Sequence, residues 1–416
     1  MTPPQAIRRS GLSAVEWRVL LLLVISGFLN YFDRSNLSAG ATDIQRELHL
    51  SSYQLGVLLS AFFRTYAALQ LFVISGWLVD RFNVCWVLAA GFFIWSAATA
   101  LTGAAQTFAM VFGLRLLLGM GESIAYPAYS RILANNFPEH HRGFANSVID
   151  AGTKLGPALG TLLGGLLMAI YGWRSFFLAL GFSSLLWLVP WLLWMPRGKG
   201  VAARDDRGSI PSVWEILRQR SAWFSALGLF CTNYFWYFLL TWLPPYLETE
   251  RHFSKARMAW FGSAAYFAVA LSGVTSGWLS DRMIARGGSP TRVRKSFAGI
   301  GLLFSTLILP VSVIQNDRLA MVLLMTACLS YGLFSANLFA ITQTLAGPRA
   351  AGKWTGMQNG FGNLAGVAAP WLTGFIVQRT GHFFLAFLVA ATVALLGAVC
   401  FVVGIGPIRQ VEWAER

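Results

Sequence analysis

Seven ionisable side chains lie inside long apolar segments of this sequence, where a charge is costly. The acids are Asp33, Glu122 and Asp150, and the bases are Arg34, Arg64, Arg115 and Lys154. A charge at the centre of a bilayer costs at least ~2.5 kcal/mol on insertion scales, so such residues normally face a protein interior or a watery cavity. Three acids against four bases leave one positive charge, which predicts a site for an anion.

Arg34 is the leading candidate for holding that anion. Its planar guanidinium stays charged and matches a carboxylate through two parallel N–H groups. The alternative is that Arg34 only neutralises Asp33, although adjacent residues on a helix point about 100° apart and pair poorly. We therefore expect Arg34 to bind substrate.

Asp33 and Glu122 are the candidates for carrying a proton. A buried carboxyl near an arginine can bind a proton in one environment and release it in another, because burial and the nearby charge act in opposite directions. Glu122 follows Arg115 by seven residues, which places both side chains on one helix face about two turns apart. Permanent ion pairing that only supports the fold is the alternative for this set.

The other three charged residues have a simpler structural explanation beside a functional one. Asp150 and Lys154 are spaced i to i+4 with the acid first, which is the geometry of a local helical ion pair. Arg64 could instead extend along its helix to reach the outer surface of a membrane. If Arg64 and Lys154 both faced a cavity with Arg34, the site would favour a dianion.

The elements that position these residues are predicted to be membrane-spanning helices. The chain has 416 residues, of which 56% are hydrophobic and 12% charged, where a soluble domain has about 25% charged residues. Apolar runs of about 20 residues, the length that crosses a bilayer, occur twelve times. They begin near Trp17, Gln54, Val84, Phe108, Phe144, Ser175, Ala222, Arg257, Phe297, Leu319, Gly356 and Phe383.

The net charge of +15 follows from membrane topology rather than from a nucleic-acid partner. Lys and Arg are concentrated before the first run, in the segment 197–220 and between the eighth and ninth runs. This bias predicts a multi-pass protein of the cytoplasmic membrane with both termini in the cytoplasm. Cys85, Cys231, Cys328 and Cys400 show no metal-ligand spacing, so we expect neither metal nor disulfide.

Two internal repeats divide the chain into halves. GWLVDR (76–81) ends the second run and GWLSDR (277–282) ends the eighth, while GTKLGPALG (152–160) and GNLAGVAAP (362–370) occupy matching places in runs five and eleven. We predict an N-terminal half over residues 1–195, a cytoplasmic linker over 196–220 and a C-terminal half over 221–416. Such repeated halves are the architecture of secondary transporters with a substrate site at the midplane.

The sequence resembles the major facilitator superfamily, because the GWLVDR loop signature recurs after the eighth run. NYFDRSNLSAG (30–40), SAFFRTYAALQ (60–70), RLLLGMGESIAYPA (115–128) and TWLPPYL (241–247) further resemble its anion:cation symporter branch. The resemblance covers almost the whole chain. It implies an all-α membrane protein of twelve transmembrane helices in two six-helix halves.

The branch also implies roles for particular residues. Arg34 would hold the substrate carboxylate, and Arg115 would be a switchable partner of the carboxyls Asp33 and Glu122. Lys154 and Arg64 depart from the polar neutral and aromatic residues expected at their positions. Further substrate contacts are predicted for Tyr31, Tyr66, Asn233, Tyr234, Asn337, Phe339, Asn359 and Asn363. The loop signatures make Gly76, Asp80, Arg81, Gly277, Asp281 and Arg282 candidates for the conformational change.

These observations predict a proton-coupled symporter that takes up a small organic anion, such as a carboxylate or sugar acid, and that works as a monomer without a cofactor. The main alternative is an exporter of drugs or metabolites with the same fold, since GTKLGPALG resembles a signature of drug:proton antiporters. A membrane enzyme is disfavoured because the sequence has no nucleophile elbow, phosphate loop or metal cluster. A sensor that transports nothing remains open at this point.

Overall fold

The computed structural model describes residues 12–72, 74–137, 139–195, 211–335 and 337–413, which form helices and connecting turns without a strand. The first half contains α1 (Ala14–Ala39), α2 (Ala41–Glu47), α3 (Ser52–Leu71), α4 (Ile74–Arg81), α5 (Val84–Thr102), α6 (Phe108–Glu122), α7 (Ala125–Asn136), α8 (Glu139–Leu185) and α9 (Leu188–Trp194). The second contains α10 (Val213–Leu217), α11 (Arg220–Thr249), α12 (Lys255–Ala285), α13 (Pro290–Ser305), α14 (Ile308–Val311), α15 (Asp317–Ser335), α16 (Asn337–Asn363), α17 (Ala365–Thr380) and α18 (Phe384–Val399), which a π-helical turn (Cys400–Gly404) follows.

Twelve crossings can be assigned within the described part of the chain. Ten helical segments are long and apolar enough to span a bilayer. One of them, Ala145–Trp194, holds two crossings because the chain reverses at Gly172, and the helices on either side of residue 73 form one more. The predicted all-α bundle of twelve helices in two halves is confirmed.

Glycine makes the reversal inside α8 possible. Gly172 has φ +76° and ψ 159°, a conformation that residues with a Cβ rarely adopt. On either side of it, Gly152 lies against Val24 of α1, and Trp187 donates a hydrogen bond of 3.0 Å to the carbonyl of Leu22. The two arms of the reversal therefore run antiparallel beside the same part of α1.

Capping side chains set where several helices begin. Ser13 and Glu16 form a reciprocal capping box at the start of α1, and Ser51 and Gln54 form another at the start of α3. Each box satisfies two backbone N–H groups that have no partner inside the helix. The caps fix the register of the two helices that carry Arg34 and Tyr66.

Most of the predicted linker, residues 196–210, lies outside the described residues, and the boundaries of the halves stay a prediction. The described remainder forms α10, and Lys353 donates a hydrogen bond of 2.8 Å to the carbonyl of Pro211 beside it. We call the end of the bundle with α10 and residues 405–413 the terminal end. The opposite end, with α2 and Gly172, is the distal end.

The two halves contact each other at the distal end. Ser38 of α1 donates a hydrogen bond of 2.8 Å to the carbonyl of Thr241 in α11. Helices α3 and α17 approach so closely that a Cβ on Gly56 would lie 2.6 Å from the carbonyl oxygen of Pro370. A Cβ on Gly165 of α8 would likewise lie 2.7 Å from the Cβ of Ala259 in α12. At Gly56 the facing backbone leaves no room for a side chain, and at Gly165 the Ala259 methyl group occupies that space.

Candidate functional site

A buried ion pair joins α1 to the end of α6. The Arg34 Nε donates a hydrogen bond of 2.8 Å to the Glu122 Oε2, and the two side chains are 2% and 0% exposed. Glu122 is the last residue of α6, immediately before the break that leads into α7. The predicted substrate-binding arginine thus contacts the predicted proton carrier directly, 88 residues away in sequence.

Three aromatic rings surround the guanidinium of Arg34. The Arg34 Cζ lies 4.5 Å from the ring centre of Tyr31 and 4.7 Å from those of Phe62 and Tyr66. A cation over aromatic rings gains about 2 kcal/mol or more where water is excluded. Arg34, Glu122, Tyr31, Phe62 and Tyr66 form what we call the Arg34 cluster.

Glycines hold the Arg34 cluster together by letting helices approach. A Cβ on Gly156 of α8 would lie 2.7 Å from the Tyr31 Cβ, and one on Gly119 of α6 would lie 2.2 Å from the Phe62 carbonyl oxygen. Gly156 belongs to GTKLGPALG, so this part of the segment packs α8 against α1. The segment that resembles an antiporter signature has a packing role here.

Asp33 and Arg115 are also buried close to Glu122. Asp33 is 1% exposed, and its Oδ2 accepts a hydrogen bond of 3.4 Å from Thr99 of α5. Arg115 is 4% exposed, and its charge interacts with both Asp33 and Glu122. The structure therefore brings together the four charged residues that sequence assigned to the anion and the proton.

Several polar atoms of this set have no hydrogen-bond partner among the described residues. They are the Asp33 Oδ1, the Arg34 Nη2, the Arg115 Nε and the Glu122 Oε1, together with both amide atoms of Asn30. Buried polar groups in proteins are nearly always paired, so unpaired ones indicate ligand, water or proton exchange. The free Arg34 Nη2 leaves part of the guanidinium fork available to a second carboxylate.

Lys154 makes the local ion pair that its spacing predicts. The Lys154 Nζ lies 2.8 Å from the Asp150 Oδ2, with the two side chains 28% and 59% exposed. The ammonium also faces the other half, because it would lie 3.9 Å from a Cβ on Gly273 of α12. Lys154 therefore pairs with Asp150 and also lies between the halves.

Arg64 is not part of the Arg34 cluster, and the prediction that it faces a common cavity needs correction. It follows Phe62 by two residues and precedes Tyr66 by two, so it points about 200° around α3 from each of them. Its side chain is exposed, lies over the ring of Phe112 at 5.7 Å and donates to the Ser60 Oγ at 3.4 Å. Both contacts lie toward the distal end, which is the direction expected of a long charged side chain that extends to a membrane surface.

The second half contributes one polar chain that crosses between the halves. Tyr237 of α11 donates a hydrogen bond of 2.7 Å to the Asn363 Oδ1, and the Asn363 Nδ2 donates one of 3.1 Å to the Gln70 Oε1 of α3. The ring of Tyr237 also lies 4.3 Å from that of Phe63. Asn363 was predicted for the site, whereas Gln70 and Tyr237 were not. The four-residue spacing from Tyr66 to Gln70 was a signal for Gln70.

The other predicted contacts are more dispersed. Tyr234 is buried beside Thr373 within the second half, and Asn233 lies close to Gly362. Asn337 is buried and donates weakly to the Leu333 carbonyl at 3.4 Å, while Asn359 is partly buried. The predictions for Phe339 and Asp80 concern side chains outside the described part of the chain.

The loop-signature residues lie at the terminal end. Gly76 and Arg81 belong to α4, and Gly277, Asp281 and Arg282 belong to α12. The charge of Asp281 acts on Arg294 of α13, which donates a hydrogen bond of 2.9 Å to the carbonyl of Ala340 in α16. These contacts connect three helices of the second half, and a role in conformational change stays a prediction.

A cavity of about 770 Å³ lies at the distal end, away from the Arg34 cluster. Its lining includes Arg46 of α2, Gly172 of α8, and Glu248 and Lys255 at the connection between α11 and α12. Lys255 contacts Asp43 from the first half and lies 3.9 Å from the Glu248 Oε2, and Thr42 donates to Glu248. We call Thr42, Asp43, Glu248 and Lys255 the distal clasp.

The fold and the buried charges define a membrane transporter, and comparison with known families agrees. A family model described as Major Facilitator Superfamily matches residues 23–370. This chain belongs to the Major Facilitator Superfamily and is a transporter rather than an enzyme.

Similar proteins place it near anion transporters. It is 31% identical to a probable sulfoacetate transporter of Cupriavidus necator, over 92% of each chain. It is 29% identical to a probable galactarate/D-glucarate transporter of Bacillus subtilis, over 96% of this chain and 94% of that protein. It is 28% identical to a hexuronate transporter of Bacillus subtilis, over 94% of each. The predicted resemblance to the anion:cation symporter branch is confirmed.

A solved structure supports the fold independently. A bacterial homologue of the human lysosomal transporter Spinster, in an inward-facing and occupied conformation, matches with a TM-score of 0.76. The match covers 95% of each chain at 20% identity.

Proposed function

We propose that this protein is a proton-coupled symporter that takes up a small organic anion, such as a carboxylate or a sugar acid. The observation that carries the proposal is the buried ion pair between Arg34 and Glu122. Glu122 and a substrate carboxylate present the same chemical group to a single guanidinium. They therefore compete for Arg34.

Competition of this kind couples the proton to the anion. When Glu122 binds a proton it loses its negative charge, and its hold on Arg34 weakens. Arg34 can then turn its N–H groups to the carboxylate of the anion, beginning with the unpaired Nη2. When the anion leaves, the proton leaves Glu122 and the ion pair forms again. The carrier in the described structure is in this paired form.

The membrane potential requires more than one proton for a monoanion. With the inside negative, each net negative charge that moves inward costs about 2.3 kcal/mol per 100 mV. Asp33 supplies a second carboxyl, which lies close to Glu122 and Arg115. A monoanion that enters with two protons carries net positive charge and is driven inward by the potential. A dianion that enters with two protons moves without net charge and is driven by the proton gradient alone.

The relatives and Lys154 support an anion with a second acidic group. The names of two relatives contain galactarate/D-glucarate and sulfoacetate, and each of these anions carries two acidic groups. Lys154 adds a partly exposed positive charge between the halves. Arg34 would bind one acidic group and Lys154 the other.

The positive-inside bias supports a cytoplasmic membrane location with both termini in the cytoplasm. The terminal end is then the cytoplasmic side, and the distal end is the outer side. The contacts between the halves at the distal end support a carrier form that is closed toward the outer side. We further propose that one chain is sufficient for transport.

Uptake by purified protein in liposomes tests the proposal. Labelled galactarate, D-glucarate and sulfoacetate are offered with an inward proton gradient, and accumulation that a protonophore abolishes is expected for at least one of them. Glu122→Gln should still exchange labelled for unlabelled anion in counterflow, because the amide resembles a protonated carboxyl. It should lose accumulation, because the amide releases no proton.

The matched control is Glu412→Gln, which changes an exposed carboxyl at the terminal end. Accumulation by Glu122→Gln under a proton gradient would contradict the assigned proton carrier. Release of preloaded anion in exchange for entering protons would instead favour the exporter.

A further inference from the structure

A stripe of polar side chains runs along α1 from the Arg34 cluster toward the terminal end. Ser26, Asn30 and Arg34 are spaced four residues apart, so they lie on one face of the helix. Ser26 is 0% exposed and Asn30 is 1% exposed. The stripe runs beside the junction of α6 with α7. Arg34 pairs with Glu122 at the end of α6, and Ser26, nearer the terminal end, contacts Tyr129 of α7.

The contacts along this stripe are those of a polar path. The Ser26 Oγ and the Tyr129 hydroxyl lie 2.7 Å apart and are both buried. One turn farther from the terminal end on α1, the Asn30 side chain adjoins the Glu122 carboxyl. The Asn30 amide interacts with this carboxyl outside good hydrogen-bond geometry, so among the described residues both amide atoms and the Glu122 Oε1 keep capacity for a further partner. A buried amide offers two donors and two acceptors, so it can hold water between Glu122 and Ser26.

The charged neighbours of Glu122 all belong to the substrate side of the site. Among the described residues they are Arg34 and Asp33 from α1 and Arg115 from α6, and Tyr66 of α3 presents a hydroxyl in the same region. Tyr129 of α7 instead pairs with Ser26 in the stripe. The stripe toward the terminal end consists of an amide and two hydroxyls. Neutral groups of this kind can relay a proton without holding a charge that would trap it.

We propose that Asn30, Ser26 and Tyr129 carry the proton between Glu122 and the terminal end, apart from the route that the anion takes. This inference rests on the proposed proton coupling. The O–H bond of Glu122 breaks at Oε1, and its proton passes to a water held by Asn30. Each hydroxyl then accepts one proton and gives up its own, so one proton enters the path and one leaves it.

From Tyr129 the path leads along α7 toward the terminal end. From Tyr129, α7 continues for seven residues to Asn136 at the terminal end, about 10 Å of helix. The carboxylate that remains at Glu122 pairs with Arg34, which restores the form that the structure shows. Asn30, Ser26 and Tyr129 are thus relay residues that touch the transported proton and not the anion.

The test compares Ser26→Ala, Tyr129→Phe and Asn30→Leu with Ser35→Ala in liposomes. Ser35 is a matched control because it lies on the same helix and is 0% exposed, and within the described part of the chain its hydroxyl donates only to the carbonyl of Phe32, at 2.9 Å. The probe is whichever of galactarate, D-glucarate and sulfoacetate the wild type accumulates fastest, and a pH-sensitive dye inside the liposomes records proton entry. Counterflow of the same anion measures binding and folding without net proton movement.

We expect the three relay variants to lose proton entry and accumulation by about tenfold or more, with counterflow retained. The Ser26→Ala/Tyr129→Phe double variant should match the worse single variant, because both remove one shared step. Ser35→Ala should behave as the wild type.

Relay variants that accumulate as fast as Ser35→Ala would overturn the relay and leave the proposed function intact. Equal losses of counterflow and accumulation would also overturn it, since they would assign these residues to binding or folding. A wild type whose uptake ignores the proton gradient would overturn both proposals together.

Discussion

The guanidinium of Arg34 makes two kinds of contact that a lysine ammonium cannot make together. It donates to Glu122 through its Nε, and its Cζ lies within 4.7 Å of the centres of three aromatic rings. We expect Arg34→Lys to weaken anion binding by about 1.5 to 3 kcal/mol, the range for hydrogen bonds to charged groups. This corresponds to roughly 10- to 150-fold in dissociation constant.

Isothermal titration of purified protein with the transported anion checks this prediction. Arg257→Lys is the matched control, because Arg257 also lies over an aromatic ring and pairs with an acid, but at the distal surface. Equal affinities of Arg34→Lys and wild type would show that charge alone holds the anion.

Lys154 is the residue that should distinguish dianions from monoanions. If it holds a second acidic group, Lys154→Gln should weaken a dianion more than its monoanionic analogue. Because the side chain is partly exposed, we expect a difference of about 1 kcal/mol, roughly fivefold. Competition of mono- and dicarboxylates against a labelled anion measures it.

The pairing with Asp150 gives the control for that experiment. In Lys154→Gln the Asp150 carboxylate loses its partner at 2.8 Å, which could disturb α8 by itself. The Asp150→Asn, Lys154→Gln double variant removes both charges. Equal losses for both anions that the double variant restores would reject a role for Lys154 in selectivity.

At the scale of elements, Glu47 and Arg174 together link α2, the turn after Gly172 and the turn after α5 at the distal end of the first half. Glu47 at the end of α2 accepts hydrogen bonds from the Trp173 Nε1 at 2.6 Å and the Arg174 Nε at 2.8 Å. Arg174 also donates to the carbonyls of Gly103 and Ala105 after α5. The hydrogen bond from Arg174, followed by that from Trp173, lowers the pKa of Glu47.

A lowered pKa makes this contribution to stability dependent on pH with a definite sign. The contribution is present above the unfolded-state pKa of about 4.5 and disappears as the pH falls through the lower folded-state pKa. Glu47→Gln should therefore lower the melting temperature near neutral pH and have little effect in strong acid. Since the pair is half exposed, we expect less than about 1 kcal/mol.

Melting of detergent-solubilised protein at both pH values measures this difference, with the exposed Glu412→Gln as control. A destabilisation of Glu47→Gln that stays the same in strong acid would show that Glu47 acts by packing rather than by charge.

At the scale of the whole molecule, sequence predicted the bundle well because a bilayer constrains composition and length strongly. Twelve apolar runs, matching loop signatures and the charges inside the runs identified the crossings and the buried set Asp33, Arg34, Arg115 and Glu122. Such charges must be buried with partners wherever hydrocarbon surrounds the protein. The helices and the candidate residues could therefore be predicted from the energetic cost of placing polar and charged groups in a bilayer.

The pairing of those residues could not be predicted, because it depends on how each helix is rotated and packed. Arg34 meets Glu122 rather than Asp33 in a bundle where Gly119 lets α6 approach α3 and Gly156 lets α8 approach α1. Arg64 lies two residues from members of the Arg34 cluster, yet the rotation of α3 directs it outward. Periodicity gives the angle between two residues of one helix but not the direction in which that helix faces.

In a transport cycle that separates the halves, which the proposed function requires, the distal clasp affects the speed of opening. Lys255 contacts Asp43 in the first half and Glu248 in its own half, so separating the halves removes only one of its two acidic partners. The lysine keeps a countercharge throughout, and the barrier to opening does not include an isolated buried cation. Asp43 is then the group left facing water, in a short helix whose last residues, Arg46 and Glu47, are exposed. The closure can thus be firm at rest and still release quickly, because the charge that is uncovered is the one that water can solvate.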